Sequence, residues 1–153
     1  MRAKNIDFLK ERKIIGLFDF DMEGVGQFTN MHNSTYWSSN IIGTKTSCLY
    51  KQRSDHTCFI AMLIPVPEAL KGLADLHYPS FVEIENLLPS KFLIENSFVN
   101  ESITTGDTKY LQIKSDKKSK LWEKVFELDQ ADFSNFEILF KTIYFIFSLP
   151  TPY

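Results

Sequence analysis

The chain has 153 residues, of which 44% are hydrophobic, 14% aromatic and 24% charged, with a net charge of −2 and a pI near 5.9. An apolar share of that size excludes a globally disordered chain and fits one domain over residues 1–153. The near balance of charge excludes a chain-wide basic field as the means of holding nucleic acid and leaves only local patches for it.

Residues 3–12 read as a helix, with Ile6 and Leu9 on one face and Phe8 beside them. Residues 13–18, Lys-Ile-Ile-Gly-Leu-Phe, read as a buried strand: short, apolar and without alternation, as in parallel sheets. Val25, Phe28 and Met31 give residues 22–32 a helical period. Residues 33–40 are polar and Ser-rich, a loop in which Tyr36 and Trp37 can pack locally. Residues 44–52 and 57–64 read as a hairpin around the polar turn Arg53-Ser-Asp-His56, ended by Pro65 and Pro67. A short helix is expected over 68–76.

Further on, Phe81, Glu83 and Glu85 alternate with Val82 and Ile84, which suits a strand. Residues 85–93 suit the start of a helix as well, and both readings stay open. A second hairpin is expected from 97–104 and 109–114 around Thr105-Gly106-Asp107. Ser115 or Asp116 can cap a helix over 117–128. Asp132 or Ser134 can cap a last, aromatic-rich helix to about 148, stopped by Pro150 and Pro152. The order of elements predicts an α/β or α+β domain, a mixed sheet flanked by helices.

Two cysteines, Cys48 and Cys58, make neither a disulfide scaffold nor a CxxC metal spacing, so reduced thiols are expected. The first residues carry no signal-peptide apolar stretch. The most apolar segment, 138–149, holds Lys141 and is too short to span a bilayer. The expectation is a soluble, cytoplasmic protein with no membrane partner.

The most informative phrase is Leu17-Phe-Asp19-Phe-Asp21-Met-Glu23-Gly24, where the apolar strand runs out into acids. Residues i and i+2 of an extended chain point the same way, so Asp19 and Asp21 can converge at the sheet's carboxyl edge. Two close carboxylates repel unless a cation or proton sits between them, and hard oxygen donors suit Mg²⁺ or Mn²⁺. The competing reading is local: Asp21 caps the following helix, with Glu23 favourable at its positive end.

Asp19-x-Asp21-x-x-Gly24, ending a hydrophobic strand and opening a helix, resembles the second motif of Toprim domains. These are the metal-binding domains of topoisomerases, primases and OLD-family nucleases, and the wording is most similar to the OLD form. Ile84-Glu85-Asn86-Leu87 is similar to a later acidic element of that group, and the Lys117-Lys118 helix to a lysine-bearing one. The resemblance implies Mg²⁺-dependent phosphodiester chemistry on nucleic acid. Asp19 and Asp21 would hold metal, Glu85 would be a second-metal ligand, and Lys117 or Lys118 would offset phosphate charge.

The family also places a catalytic glutamate on a strand one helix before the Asp-x-Asp strand. Twelve residues precede Lys13, room for the intervening helix alone, and Glu11 adjoins the strand. The chain therefore resembles a Toprim domain without its first strand. Three explanations are open: a C-terminal fragment of a larger protein, a partner that completes the site (an upstream ATPase/Toprim segment or a second copy), or a non-catalytic descendant.

Other features are weighed beside this. Haloacid-dehalogenase phosphatases also begin with Asp-x-Asp, but resemble Asp-x-Asp-Gly-Thr, where this chain has Met22-Glu23. An acid in the threonine's place would repel phosphate. His32, His56 and His77 have no zinc spacing. Gly24-Val-Gly26 lacks the Lys-Ser/Thr of a P-loop. Lys114, Lys117, Lys118 and Lys120 read either as a solvated helix start or as a phosphate contact. Phe133, Phe136, Phe140, Tyr144 and Phe147 form a stripe that predicts a core helix. Ile138, Leu139, Ile143, Phe145 and Ile146 make the same helix apolar almost all round, which would suit self-association. The second functional class is therefore a non-catalytic interaction protein of a mobile element that dimerises through this helix.

Overall fold

Strand β5 (Phe59–Leu63) is the spine of the fold, with Ile60, Ala61, Met62 and Leu63 all buried. In the computed structural model, which describes residues 12–31, 36–76, 80–103 and 109–149, it is flanked on both sides. Strand β1 (Ile14–Phe18) runs parallel to it, from Ile14↔Phe59 to Phe18↔Leu63. Strand β4 (Leu49–Gln52) runs antiparallel, with Tyr50 opposite Met62, and β3 (Ile42–Gly43) pairs outside β4. The mixed sheet has the order β1-β5-β4-β3. Pleating sends Ile60 and Met62 to one face and Ala61 and Leu63 to the other, and each face has its own apolar cluster.

Helix α1 (Met22–Asn30) covers the Ala61 face with Val25 and Phe28. The opposite face is covered by α2 (Ser90–Glu95), α3 (Lys118–Lys124) and α4 (Phe136–Ile146). They contribute Phe92, Leu93, Leu121, Phe136 and Leu139. The fold class is α/β, helices on both faces of a mixed sheet. No helix among the described residues is long and apolar enough to cross a membrane.

Two small pairings complete the frame. Strand β2 (Phe20–Asp21) pairs antiparallel with β6 (Phe81–Val82), Phe20 opposite Val82. Strands β7 (Val99–Ile103) and β8 (Lys109–Ile113) form the second hairpin.

Several expectations are corrected. The strand at 13–18 is parallel as predicted, but it is not buried: among the described strands it lies at the edge of its sheet, with Ile14 36% and Leu17 39% exposed. Residues 45–47 form a 3-10 turn rather than strand, because the Thr44 hydroxyl accepts from Ser47 N–H and the Ser47 hydroxyl accepts from Thr44 N–H. The strand expected at 81–85 stops at Val82 and gives way to a 3-10 turn, Ile84–Leu87. Helix α4 begins at Phe136, beyond the predicted caps; its buried residues are Phe136 and Leu139, and Phe147, just past its end, is buried as well. Phe140, from the predicted stripe, is 53% exposed. The predicted helix at 3–12, apart from Arg12, lies outside the described residues, as do His32, His77 and the turn at 105–107.

Lys51, unremarked in the sequence, is fully buried on β4. Its ammonium donates to the Phe28 carbonyl at 2.8 Å and lies 4.3 Å from the centre of the Phe28 ring. That carbonyl belongs to the last turn of α1, where the helix dipole is negative. Burial holds the lysine's pKa below its ordinary value. Burial also pushes the Cys48 thiol up to about 11, and both cysteines are free.

Gly24 fixes how closely α1 approaches the end of β1. A Cβ there would sit 2.2 Å from the Asp19 carbonyl oxygen, whereas one on Gly26 would meet nothing within 4 Å. Gly24→Ala should therefore destabilise by about 1–3 kcal/mol through backbone displacement. Gly26→Ala should stabilise by up to about 1 kcal/mol through helix propensity. Urea melts of the two variants check this, and equal effects would refute the close approach.

Candidate acidic site at the end of strand β1

Asp19 lies directly after β1, beyond the point where the Phe18 carbonyl accepts from Ile64 N–H at 2.9 Å. It stands at the carboxyl end of the parallel β1/β5 pair, where ligands bind in open α/β sheets. Its Oδ1 accepts from the Ile84 N–H at 2.8 Å. That bond and the Asn86 Oδ1, which accepts from Glu83 N–H at 2.8 Å, draw the chain out of β6 and into the turn at 84–87. Asp21 caps α1, its Oδ1 accepting from Gly24 N–H at 2.7 Å. The capping role expected for Asp21 is thus present, and Asp19 makes a comparable bond to a different turn. Each carboxylate gives one oxygen, Oδ1, to these backbone donors.

The turn brings two further acids to Asp19. Glu83 and Glu85 follow the β2/β6 pairing by one and three residues. Burial raises the Asp19 pKa above its ordinary value, and the negative charges of Glu85, Asp21 and Glu83 raise it further, against the lowering effect of the Ile84 N–H. These four carboxylates therefore share one field.

Lys118 supplies the opposing charge. Its Nζ lies 2.5 Å from Glu83 Oε2 and 3.3 Å from Glu85 Oε1. The route that delivers it is visible in the packing. Asn86 Nδ2 donates to the Leu111 carbonyl at 2.9 Å, tying the turn to β8, and β8 leads through a 3-10 turn, Ser115–Lys117, into α3. Leu121, wholly buried, then pins α3 to the core. Burial alone would lower the Lys118 pKa, but the two glutamates outweigh it and hold it above the ordinary value.

Of the residues singled out from sequence, Asp19, Asp21, Glu85 and Lys118 are brought together. Lys117 is not: its side chain takes part in none of these ion pairs. Glu83 was not singled out, although its alternation with Glu85 was visible. The Glu85 side chain is only 4% exposed, and its Oε2 is buried without a hydrogen-bond partner. Among the described residues, no three of His, Cys, Asp and Glu form a group that could hold a metal ion. A cleft of about 120 Å³, lined by Asn86, Ser90, Glu101 and Tyr110 among others, includes none of the four acids.

No family model matches the chain, and neither a curated protein nor a solved structure matches it significantly.

A buried acceptor that loses its partner costs about 1–3 kcal/mol, whereas removing both partners is close to neutral. Lys118→Met should destabilise by that amount, and adding Glu85→Met should recover most of it. Lys117→Met should stay within about 0.5 kcal/mol of wild type. Chemical denaturation of the four proteins checks the cycle, and equal effects at 117 and 118 would contradict the assigned pairing.

Proposed function

We propose that this chain is a Toprim-like domain of the OLD-nuclease type that takes Mg²⁺ or Mn²⁺ and engages the phosphodiester backbone of nucleic acid. The observation that carries the reading is the arrival of Lys118 beside Glu83 and Glu85, which share the field of Asp19, from a helix that starts 35 residues after Glu83. The Asp-x-Asp strand, the later acidic element and the lysine-bearing helix resembled that family separately, and their residues share one corner of the fold.

The donor chemistry fits a divalent ion. Carboxylates are hard oxygen ligands, and the unpartnered Glu85 Oε2 is a buried acceptor in need of a cation. Asp19, Asp21 and Glu85 would hold the ion. When bound, such an ion polarises a phosphoryl oxygen and offsets developing charge. Lys118 would meet the phosphate oxygens, and the buried sheet end would keep the acids fixed. A cytoplasmic setting is in keeping with two free cysteines.

A second reading has its own observation. Helix α4 leaves Ile138 42%, Phe140 53% and Phe145 78% exposed, a surface suited to non-catalytic self-association. Light scattering at rising concentration, with and without Mg²⁺, separates this from the first reading.

The direct test is thermal unfolding of wild type and Asp19→Asn/Asp21→Asn in rising Mn²⁺ or Mg²⁺. Asparagine keeps the acceptor at both positions, including the helix cap, so the double variant should fold. Ligand at 100 times Kd stabilises by about 2.7 kcal/mol, which should raise the wild-type midpoint by several degrees and leave the double variant unmoved. Equal shifts in both would overturn the metal reading.

A further inference from the structure

Helix α3 and the 3-10 turn that continues it, Val125–Glu127, turn more apolar surface to solvent than their packing uses. Leu121, wholly buried, and Val125 make the core contacts. Trp122 and Phe126 remain, 40% and 90% exposed, and among the described residues neither ring stacks on another. Their i, i+4 spacing puts them on one ridge, which Lys118, four residues earlier, opens at the acidic corner. Each step along the ridge is about 6 Å in an α-helix. Residues 114–127 carry Lys114, Lys117, Lys118, Lys120 and Lys124 against Asp116, Glu123 and Glu127, a positive balance. Lys124 pairs with Glu127 at 3.4 Å, whereas among the described residues Lys117 and Lys120 take part in no ion pair or hydrogen bond. The exposed face of α4 differs in charge, since its Lys141 is matched by Glu137 at 2.7 Å.

We propose that Trp122 and Phe126 are a stacking platform for unpaired bases of single-stranded nucleic acid, and that lysines of the same segment meet its phosphates. The proposal rests on the nucleic-acid part of the reading above and needs no metal. Every base has a flat π-face, so an exposed ring accepts it whatever the sequence. Two rings one turn apart take two bases that are splayed and not stacked on each other. The phosphates that join them need cations, and Lys117 and Lys120 have no competing acid among the described residues. In a duplex the base faces are closed against their neighbours, so the ridge selects single strands. A second copy is the poorer occupant: a symmetric contact would set the same positive segment against itself.

Fluorescence anisotropy of a labelled oligothymidine, titrated with the whole chain at low salt and without divalent ions, tests this. Trp122→Ala and Phe126→Ala should each weaken binding about tenfold, equivalent to ~1.4 kcal/mol for a lost stack. Phe145→Ala, which removes an exposed ring from α4, should stay within about twofold of wild type. Indole emission should fall when the oligonucleotide binds. Trp122→Phe should keep most of the affinity and lose that quench. Lys117→Gln/Lys120→Gln should flatten the salt dependence by about 0.7 in slope for each lysine. A duplex of the same length should bind at least about tenfold more weakly. Single-strand binding that neither ring affects, or duplex binding of equal strength, would overturn the platform and leave the nucleic-acid reading standing. No binding of either form would overturn both. Co-sedimentation with phosphatidylserine vesicles that depends on Trp122 and Phe126, without oligonucleotide binding, would assign the ridge to a membrane surface and overturn the proposal.

Discussion

A carboxylate buried at the end of a sheet needs a cation, and the arrangement around Glu85 follows from that need. Moving an ionised group out of water costs several kcal/mol even after relaxation. A single ion pair at the surface returns about 0–1 kcal/mol, so the exposed part of the Lys118–Glu83 contact cannot by itself hold α3 in place. The contact with Glu85 is different in kind, because that side chain is almost wholly enclosed. Breaking it leaves a buried charge, and that penalty, rather than the attraction itself, makes the pairing specific. Leu121, one turn along α3, adds the apolar anchor that keeps the lysine in reach.

The same corner shows one residue type doing two jobs. Asp19 and Asp21 each commit one oxygen to a backbone donor, so they build the architecture that positions them. Asp21 starts α1, and Gly24 lets that helix press against the Asp19 carbonyl. Asp19 reaches across to Ile84 and so starts the turn that carries Glu85. Capping and ion binding are not exclusive alternatives here, since a carboxylate has about four acceptor sites and the backbone uses one of them. The glycine of the motif serves the approach of helix to strand end, and not only the approach of a ligand.

Much of the fold was legible because its periodicities were strong. β1 and β5 read as apolar runs, the parallel partner of β1 was anticipated from its lack of alternation, and both hairpins fell near their predicted places. The exposure of β1 was not legible, because an apolar run looks alike at a sheet's edge and centre. The core face of α4 was legible at Phe136 and Phe147 but not at Phe140: with apolar residues on most of its sides, sequence spacing alone does not choose between Phe140 and Leu139 for the core. At the site, the acidic phrase stood out by itself, and Glu85 only through the resemblance of its segment to a later acidic element. Lys118 was indistinguishable from Lys117 until the register of α3 set one against the glutamates. Glu83 was hidden in plain alternation. Lys51 was invisible, since its partner is a backbone carbonyl on another element.

The central claim is that Asp19, Asp21, Glu85 and Lys118 form one cation-responsive corner. Sub-stoichiometric Mn²⁺ added to ¹⁵N-labelled protein tests it most directly, because paramagnetic broadening falls away steeply with distance from the ion. The account predicts that amides of residues 19–21, 83–86 and 118 broaden first, with Lys51 and α4 left sharp. Broadening that begins instead at Glu68, Asp129 or Asp132, or that spreads evenly over the acidic surface, would contradict it.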